Sequence, residues 1–125
     1  SLEGHPVVLY FYPKDDTPGC TAEACSFRDS LKILRKRGIT VIGVSVDSDA
    51  SHTRFSSKYN LDFTLLSDPE RKIIHAYGVD SPFKTAKRVT YIIGPDGIIK
   101  HVFASVNTKT HATDVLKQME ELELA

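Results

Sequence analysis

Apolar positions along this chain come in short continuous runs and in stripes of helical period, and the two kinds alternate. Val7-Val8-Leu9-Tyr10-Phe11-Tyr12 is an unbroken β-branched and aromatic run, the pattern of a strand buried on both faces and therefore central in its sheet. A Pro/Asp turn follows, and Pro18 to Arg37 then carries apolar residues at helical spacing. Gly38 ends that helix, and Arg35, Lys36 and Arg37 suit the negative end of its dipole. Thr40 to Val46 reads as a second apolar strand, Ser48 to Tyr59 as a helix and Phe63 to Leu66 as a short strand. Asp68-Pro69 predicts another helix, Pro69 to Ala76, with Asp68 as N-cap and Pro69 at the first position. Arg88 to Ile93 and Ile98 to Ala104 flank Gly94-Pro95-Asp96-Gly97, a turn that predicts a hairpin, and His111 to Leu122 closes the chain as an amphipathic helix.

The order β-α-β-α-β-α-β-β-α predicts an α/β protein: a mixed central sheet flanked by helices, parallel where helices cross over and antiparallel at the final hairpin. That is the thioredoxin-like pattern, ending in a β-hairpin and a C-terminal helix. At 125 residues the chain fits a single domain, residues 1–125. Its 16 basic residues balance 16 acidic ones, which gives no ground for a nucleic-acid partner. Arg35-Lys36-Arg37 and the basic residues from Lys84 to Arg88 read as helix-end and loop charges. The apolar runs fall well short of the roughly 18 residues that a membrane span requires. No membrane partner is expected, and the expected location is cytoplasmic, or an organelle if a leader has been removed.

Two cysteines, Cys20 and Cys25, change the picture. They cannot build a disulfide framework, and a domain of this size does not need one. As zinc ligands they lack a second pair, and His5, His52, His75, His101 and His111 show no ligand spacing near them, so a zinc site is not expected. Thioredoxin-type thiol exchange would ordinarily show C-x-x-C. A cysteine on an apolar stripe can also be a small buried hydrophobe.

Local geometry separates the two thiols. In Thr17-Pro18-Gly19-Cys20, Thr17 is placed as the N-cap, Pro18 at the first helical position and Cys20 at the third, where free backbone N–H groups and the positive helix end favour a thiolate. Cys20 is the candidate nucleophile. At about 100° per residue, Ala24, Phe27, Leu31 and Leu34 fall within about 40° of Cys20, whereas Cys25 is rotated by about 140° and its Cα lies roughly 8–9 Å away. A disulfide tolerates at most about 7 Å. The pair can close only if at least one helical turn unwinds.

Pro13-x-x-x-Thr17-x-x-Cys20 resembles the signature of the peroxiredoxins, and F11-Y-P-K-D-D-T-P-G-C-T-A-E-A-C-S-F-R-D29 closely resembles the peroxiredoxin Q, or bacterioferritin comigratory protein, subfamily. V41-I-G-V-S-V-D47, H52-T-R-F-S-S-K-Y-N-L-D-F63, L65-L-S-D-P-E70 and R88-V-T-Y-I-I93 stand in matching order and spacing. The resemblance implies a thioredoxin-dependent thiol peroxidase on a thioredoxin-like fold, acting on hydrogen peroxide and organic hydroperoxides without metal, haem or flavin. It implies Cys20 as the peroxidatic cysteine and Cys25 as the resolving one in an intramolecular disulfide. By the same match, Thr17 would hydrogen-bond thiolate and peroxide, Pro13 would shield the site, Arg88 would be the site arginine and Glu23 would orient it. The expected partners are peroxide and a thioredoxin or similar dithiol, and the expected state is a monomer or weak dimer. An N-terminal hairpin is expected to be missing, and Asp80 to Lys87 lacks the Gly/Met stretch of the subfamily. The competing expectation is a non-enzymatic redox sensor or interaction module switched by a Cys20–Cys25 bond.

Peroxide reduction moves charge from sulfur to oxygen. A free thiol of pKa ~8.5 is a few per cent ionised at neutral pH, so full ionisation raises the rate only about 30-fold, roughly 2 kcal/mol. The larger contribution must come from donors aimed at the peroxide oxygens, for which Arg88, Thr17 and the backbone N–H groups at Gly19-Cys20 are the candidates. Phe83, in the loop before Arg88, is expected to anchor that loop or to border the pocket.

Overall fold

Five consecutive buried residues, Val7–Phe11, make β1 the middle of the sheet. The structure is a computed structural model that describes residues 4–124; the expected absence of an N-terminal hairpin, argued from residues 1–3, lies outside them. The remaining elements are α1 (Pro18–Lys36), β2 (Thr40–Ser45), α2 (Asp49–Tyr59), β3 (Thr64–Ser67), α3 (Lys72–Ala76), β4 (Val89–Ile93), β5 (Ile99–Phe103) and α4 (His111–Glu121). The sheet order is β3-β2-β1-β4-β5. β2 pairs parallel with β1 and with β3, as the first two crossovers require.

The third crossover departs from the sequence expectation. β4 runs antiparallel to β1, with Val89 opposite Phe11 and Ile93 opposite Val7. The helix between β3 and β4 is the five-residue α3, which rises about 7.5 Å. The chain enters β4 beside the end of β1 instead of its start. This reversal brings Arg88, just before β4, to the end of the sheet where β1 gives way to α1.

α3 is itself shorter than Asp68-Pro69 suggests. Asp68 accepts from Arg71 N–H in a preceding turn, and Arg71, at φ +59°, is the N-cap. The Asp68 carboxylate still serves the first turn from a distance, taking the Lys72 N–H at 3.0 Å and the Ile74 N–H at 2.8 Å. The closing hairpin turns at Gly94–Gly97, where Gly97 N–H donates to Gly94 and Gly97 takes φ +80°, a conformation that favours glycine.

Side-chain alternation along β1 divides the core between the two sheet faces. Val8, Tyr10 and Tyr12 join Ile92 beneath the apolar stripes of α1 (Cys20, Ala24, Phe27, Leu31, Leu34) and α4 (Ala112, Val115, Met119). Val7, Leu9 and Phe11 meet Val44, Val89, Tyr91 and the α3 residue Ile74 on the other face. Tyr10 stacks on Phe27 with centroids 4.9 Å apart, and its ring passes over Gly43, where a Cβ would come within 2.8 Å of Tyr10 Cζ. α1 and α4 are joined by an unusual cap. The Ser26 hydroxyl of α1 accepts the Ala112 N–H of the first turn of α4 at 3.0 Å, while the N-cap residue Thr110 makes no side-chain cap bond.

Candidate active site

The 12–17 segment leads from β1 into α1. Thr17 is the extended N-cap (φ −97°, ψ 155°) and Pro18 opens the helix, as the spacing predicts. The Thr17 hydroxyl does not cap α1, however; it donates to the Lys14 carbonyl at 2.8 Å. A capping hydroxyl would face back along the helix, whereas this one lies against its own loop with lone pairs left to accept.

Cys20, in the first turn of α1, is only 1% exposed. Arg88 reaches it from the neighbouring β4 entry: Nη2 donates to Cys20 Sγ at 3.3 Å, and Nη1 donates to Glu23 Oε1 at 2.7 Å. One guanidinium plane thus serves a sulfur and a carboxylate presented a single helical turn apart. Gly19 makes room for it, since a Cβ there would lie 3.0 Å from Arg88 Nη2. Burial would lower the Arg88 pKa, but Cys20 and Glu23 outweigh it and hold the guanidinium protonated.

Glu23 is buried to full exclusion of solvent. Burial pushes its carboxyl up to about 7 despite the opposing pull of Arg88. Its second oxygen, Oε2, has no hydrogen-bond partner among the described residues. His111 Nε2 stands 3.8 Å from that oxygen and 2.7 Å from Thr90 Oγ1. Burial, reinforced by Arg88, lowers His111 to about 4, so the ring is neutral at neutral pH. The 3.8 Å approach to Glu23 is then contact between two groups short of a hydrogen bond, not an ion pair.

Cys25 is a half-buried free thiol on the same unbroken helix, and Cys20 is free and buried. Their different burial matches the 140° rotation expected of an intact helix. Pro13 is half-buried in the loop between Tyr12 and the Lys14–Thr17 contact. The structure therefore brings together Cys20, Arg88 and Glu23 directly, puts Thr17 and Pro13 on the adjoining loop, and leaves Cys25 apart. Phe83 is no anchor: it is 83% exposed, because Ser81 holds the loop by its own bonds to Phe83 and Thr85 N–H. Sequence reasoning gave no role to His111, Asp15 or His52. His111 carries a signal in retrospect, since it heads the buried stripe His111, Ala112, Val115, Met119 of α4. No group of three or more metal-ligating side chains occurs among the described residues. A groove of about 670 Å³ lined by Val7, Leu9, Ile42, Tyr77 and Ile93 lies on the opposite sheet face and holds none of these groups.

Known proteins resemble the chain in sequence and in fold. Residues 1–102 match the AhpC/TSA family. Peroxiredoxin Q of Sedum lineare, a chloroplastic protein, is 44% identical over 98% of this chain and 67% of its own length. Among solved structures, a cysteine-to-serine mutant of Xylella fastidiosa PrxQ superposes with a TM-score of 0.92 at 33% identity, covering 98% of this chain and 80% of that one. The Xanthomonas campestris bacterioferritin comigratory protein, described for its alkyl peroxide reduction, gives 0.90 at 34% identity over 96% and 81%. The fold is thioredoxin-like, and the chain belongs to the AhpC/TSA family, in its peroxiredoxin Q branch.

Proposed function

We propose that this protein is a thiol peroxidase in which Cys20 attacks the peroxide and Cys25 resolves the product. The observation that carries this reading is the Arg88 fork, which sets a fixed cation 3.3 Å from a buried sulfur while Glu23 holds its other arm. The Cys20 thiolate forms an S–O bond as the O–O bond breaks, and the electron pair leaves on the distal oxygen as hydroxide or alkoxide, which takes up a proton. Arg88 neutralises charge as it passes from sulfur to oxygen. Thr17, whose own proton is committed to Lys14, offers its oxygen as an acceptor for the peroxide O–H. It therefore orients the substrate and does not donate to the thiolate. Pro13, half-buried on the same loop, shields the site from that side.

The Cys20 sulfenic acid then condenses with the Cys25 thiol, forming a disulfide and releasing water. Helix geometry keeps the two apart, so this step unwinds the start of α1. The exposed, strained product suits reduction by a thioredoxin or similar dithiol. Hydrogen peroxide and organic hydroperoxides are the substrate class, in keeping with the alkyl peroxide reduction of the Xanthomonas relative. Two free thiols and a dithiol reductant fit a reducing compartment such as the cytoplasm, and none of the described helices is long and apolar enough to cross a membrane.

The test is thioredoxin-coupled peroxide consumption by the parent, Cys20→Ser and Cys25→Ser. Turnover should vanish in Cys20→Ser, and Cys25→Ser should accumulate sulfenic acid on Cys20. Retained turnover in Cys20→Ser would overturn the assignment. A parent that forms the disulfide but never turns over would be a redox sensor.

A further inference from the structure

Beneath the loop that carries Pro13 and Thr17 lies a buried ion pair that the reaction above does not use. Asp15 sits in that otherwise mostly exposed loop, yet it and His52 are both buried. Asp15 Oδ2 accepts from His52 Nδ1 at 2.7 Å and from Ser51 Oγ at 2.8 Å, and Oδ1 accepts from the Tyr12 hydroxyl at 2.6 Å. The other ring nitrogen, His52 Nε2, stands 3.1 Å from the Leu66 carbonyl. A carbonyl oxygen can only accept, and a carboxylate already receiving two hydroxyl protons also accepts. Both ring nitrogens face acceptors, which favours the imidazolium. The groups around it are Asp15 from the loop, Tyr12 at the end of β1, Leu66 from β3, and Asp47, whose negative charge adds to that of Asp15. Burial opposes charge on both partners, but their mutual bonds outweigh it: His52 is raised and Asp15 lowered from their ordinary values.

The Asp15 backbone is held as well as its side chain. Asp15 N–H donates to Asp47 Oδ2 at 2.8 Å, and Asp47 is braced by the Ser45 hydroxyl at 2.7 Å. The carbonyl of that same Lys14–Asp15 peptide is the one that takes the Thr17 hydroxyl proton at 2.8 Å. A planar trans peptide points its N–H and C=O in opposite directions, so fixing one end aims the other. Asp47 holds the N–H, the side chain of Asp15 is locked to His52, Ser51 and Tyr12, and the Lys14 carbonyl is thereby aimed at Thr17. Asp16, next in the chain, ties the same loop to the end of α2 through Lys58 at 2.8 Å and Tyr59 at 2.9 Å.

We propose that Asp15 and His52 are positioning residues for peroxide reduction: their buried pair fixes the Lys14–Asp15 peptide, which orients the Thr17 hydroxyl that receives the peroxide. The proposal rests on the peroxidase reading and on the role of Thr17 within it. Peroxide reduction depends on that orientation, whereas alkylation of Cys20 by iodoacetamide needs only the sulfur. The two reactions therefore separate positioning from general damage.

The experiment measures kcat/KM for peroxide, iodoacetamide alkylation of Cys20 and far-UV circular dichroism in the parent, His52→Gln, Thr17→Val and the double variant. His52→Gln should lose on the order of ten- to a hundredfold in kcat/KM, the scale of a misplaced catalytic group, while alkylation changes less than about threefold. The double variant should be little worse than Thr17→Val. Equal losses in both reactions, or losses that multiply in the double variant, would overturn the proposal. A silent Thr17→Val would remove the underlying role of Thr17 and the proposal with it; a damaging Thr17→Val beside a silent His52→Gln would remove the proposal alone. Should His52→Gln fail to fold, the ¹⁵N resonances of the His52 ring in the parent at pH 7 decide. Two protonated nitrogens are expected, and a neutral tautomer would overturn the proposal.

Discussion

Replacing Arg88 by lysine keeps the charge and removes the fork. In the parent, Nη1 meets Glu23 Oε1 at 2.7 Å and Nη2 meets Cys20 Sγ at 3.3 Å from one rigid plane. A lysine ammonium is a point donor on a flexible stem and does not hold both partners in that geometry. Glu23 is fully buried with one oxygen already unpartnered, so the ammonium settles on Glu23 and leaves the sulfur side bare. The reaction then loses one charge-assisted hydrogen bond, worth about 1.5–3 kcal/mol. At 1.36 kcal/mol per factor of ten, the rate of Cys20 oxidation falls about 10- to 150-fold. The assay is rapid-quench trapping of sulfenic acid on Cys20 with dimedone, in a Cys25→Ser background, across a range of peroxide concentrations. Arg88→Ala should fall further and also lose stability, because it leaves Glu23 buried with no cation beside it. An Arg88→Lys variant that folds normally and oxidises within threefold of the parent would refute the fork argument.

Glu23 makes stability depend on pH in an unusual sense for a carboxyl. Its pKa is raised from 4.5 to about 7, so between those values the folded state binds more protons than the unfolded one, and stability falls as pH rises through the window. Urea unfolding of the parent and Glu23→Gln at pH 4.5 and pH 8 should show the difference between them shift by about 3 kcal/mol in favour of the variant; a constant difference would count against a raised pKa. Gly19→Ala should move stability and activity in opposite directions. Alanine favours helix by up to about 1 kcal/mol, while its Cβ crowds Arg88 Nη2 and slows Cys20 oxidation, as the same melting and trapping assays would reveal. Amide exchange in residues 18–27 should lose protection on passing from the reduced protein to the Cys20–Cys25 disulfide, and equal protection in both would sink the unwinding step.

What could be read from the sequence was whatever local pattern controls. β1 and α1 were legible because a continuous apolar run and a proline-opened helical stripe leave little alternative, and Cys20 was singled out by its place in that helix. The direction of β4 was not legible, since it is set by its long-range pairing with β1 and not by local pattern, and Asp68-Pro69 suggested a longer helix than formed. Arg88 entered only through a resemblance; its partner Glu23 looks like any helical glutamate until the antiparallel β4 brings the guanidinium over it. Asp15 and His52 lie 37 positions apart and meet only in the fold. A charged residue in a loop and a histidine near a helix start both read as surface until the pairing is seen.

The bond between the Ser26 hydroxyl and the first turn of α4 would give the proposed catalytic cycle a boundary. Closing the proposed Cys20–Cys25 disulfide would melt the start of α1, and melting must stop somewhere. Ser26 follows Cys25 directly and is tied to α4, and Arg28 is tied by Nη1 to the Tyr59 carbonyl at 2.9 Å. Phe27, Leu31 and Leu34 lie beyond that seam in the buried stripe. The helix is therefore divided into a leading end that can be spent and re-formed at each turnover and a trailing length that keeps the sheet covered throughout. In the proposed cycle each oxidation reopens the same few residues, and the rest of the protein holds the template on which they wind again.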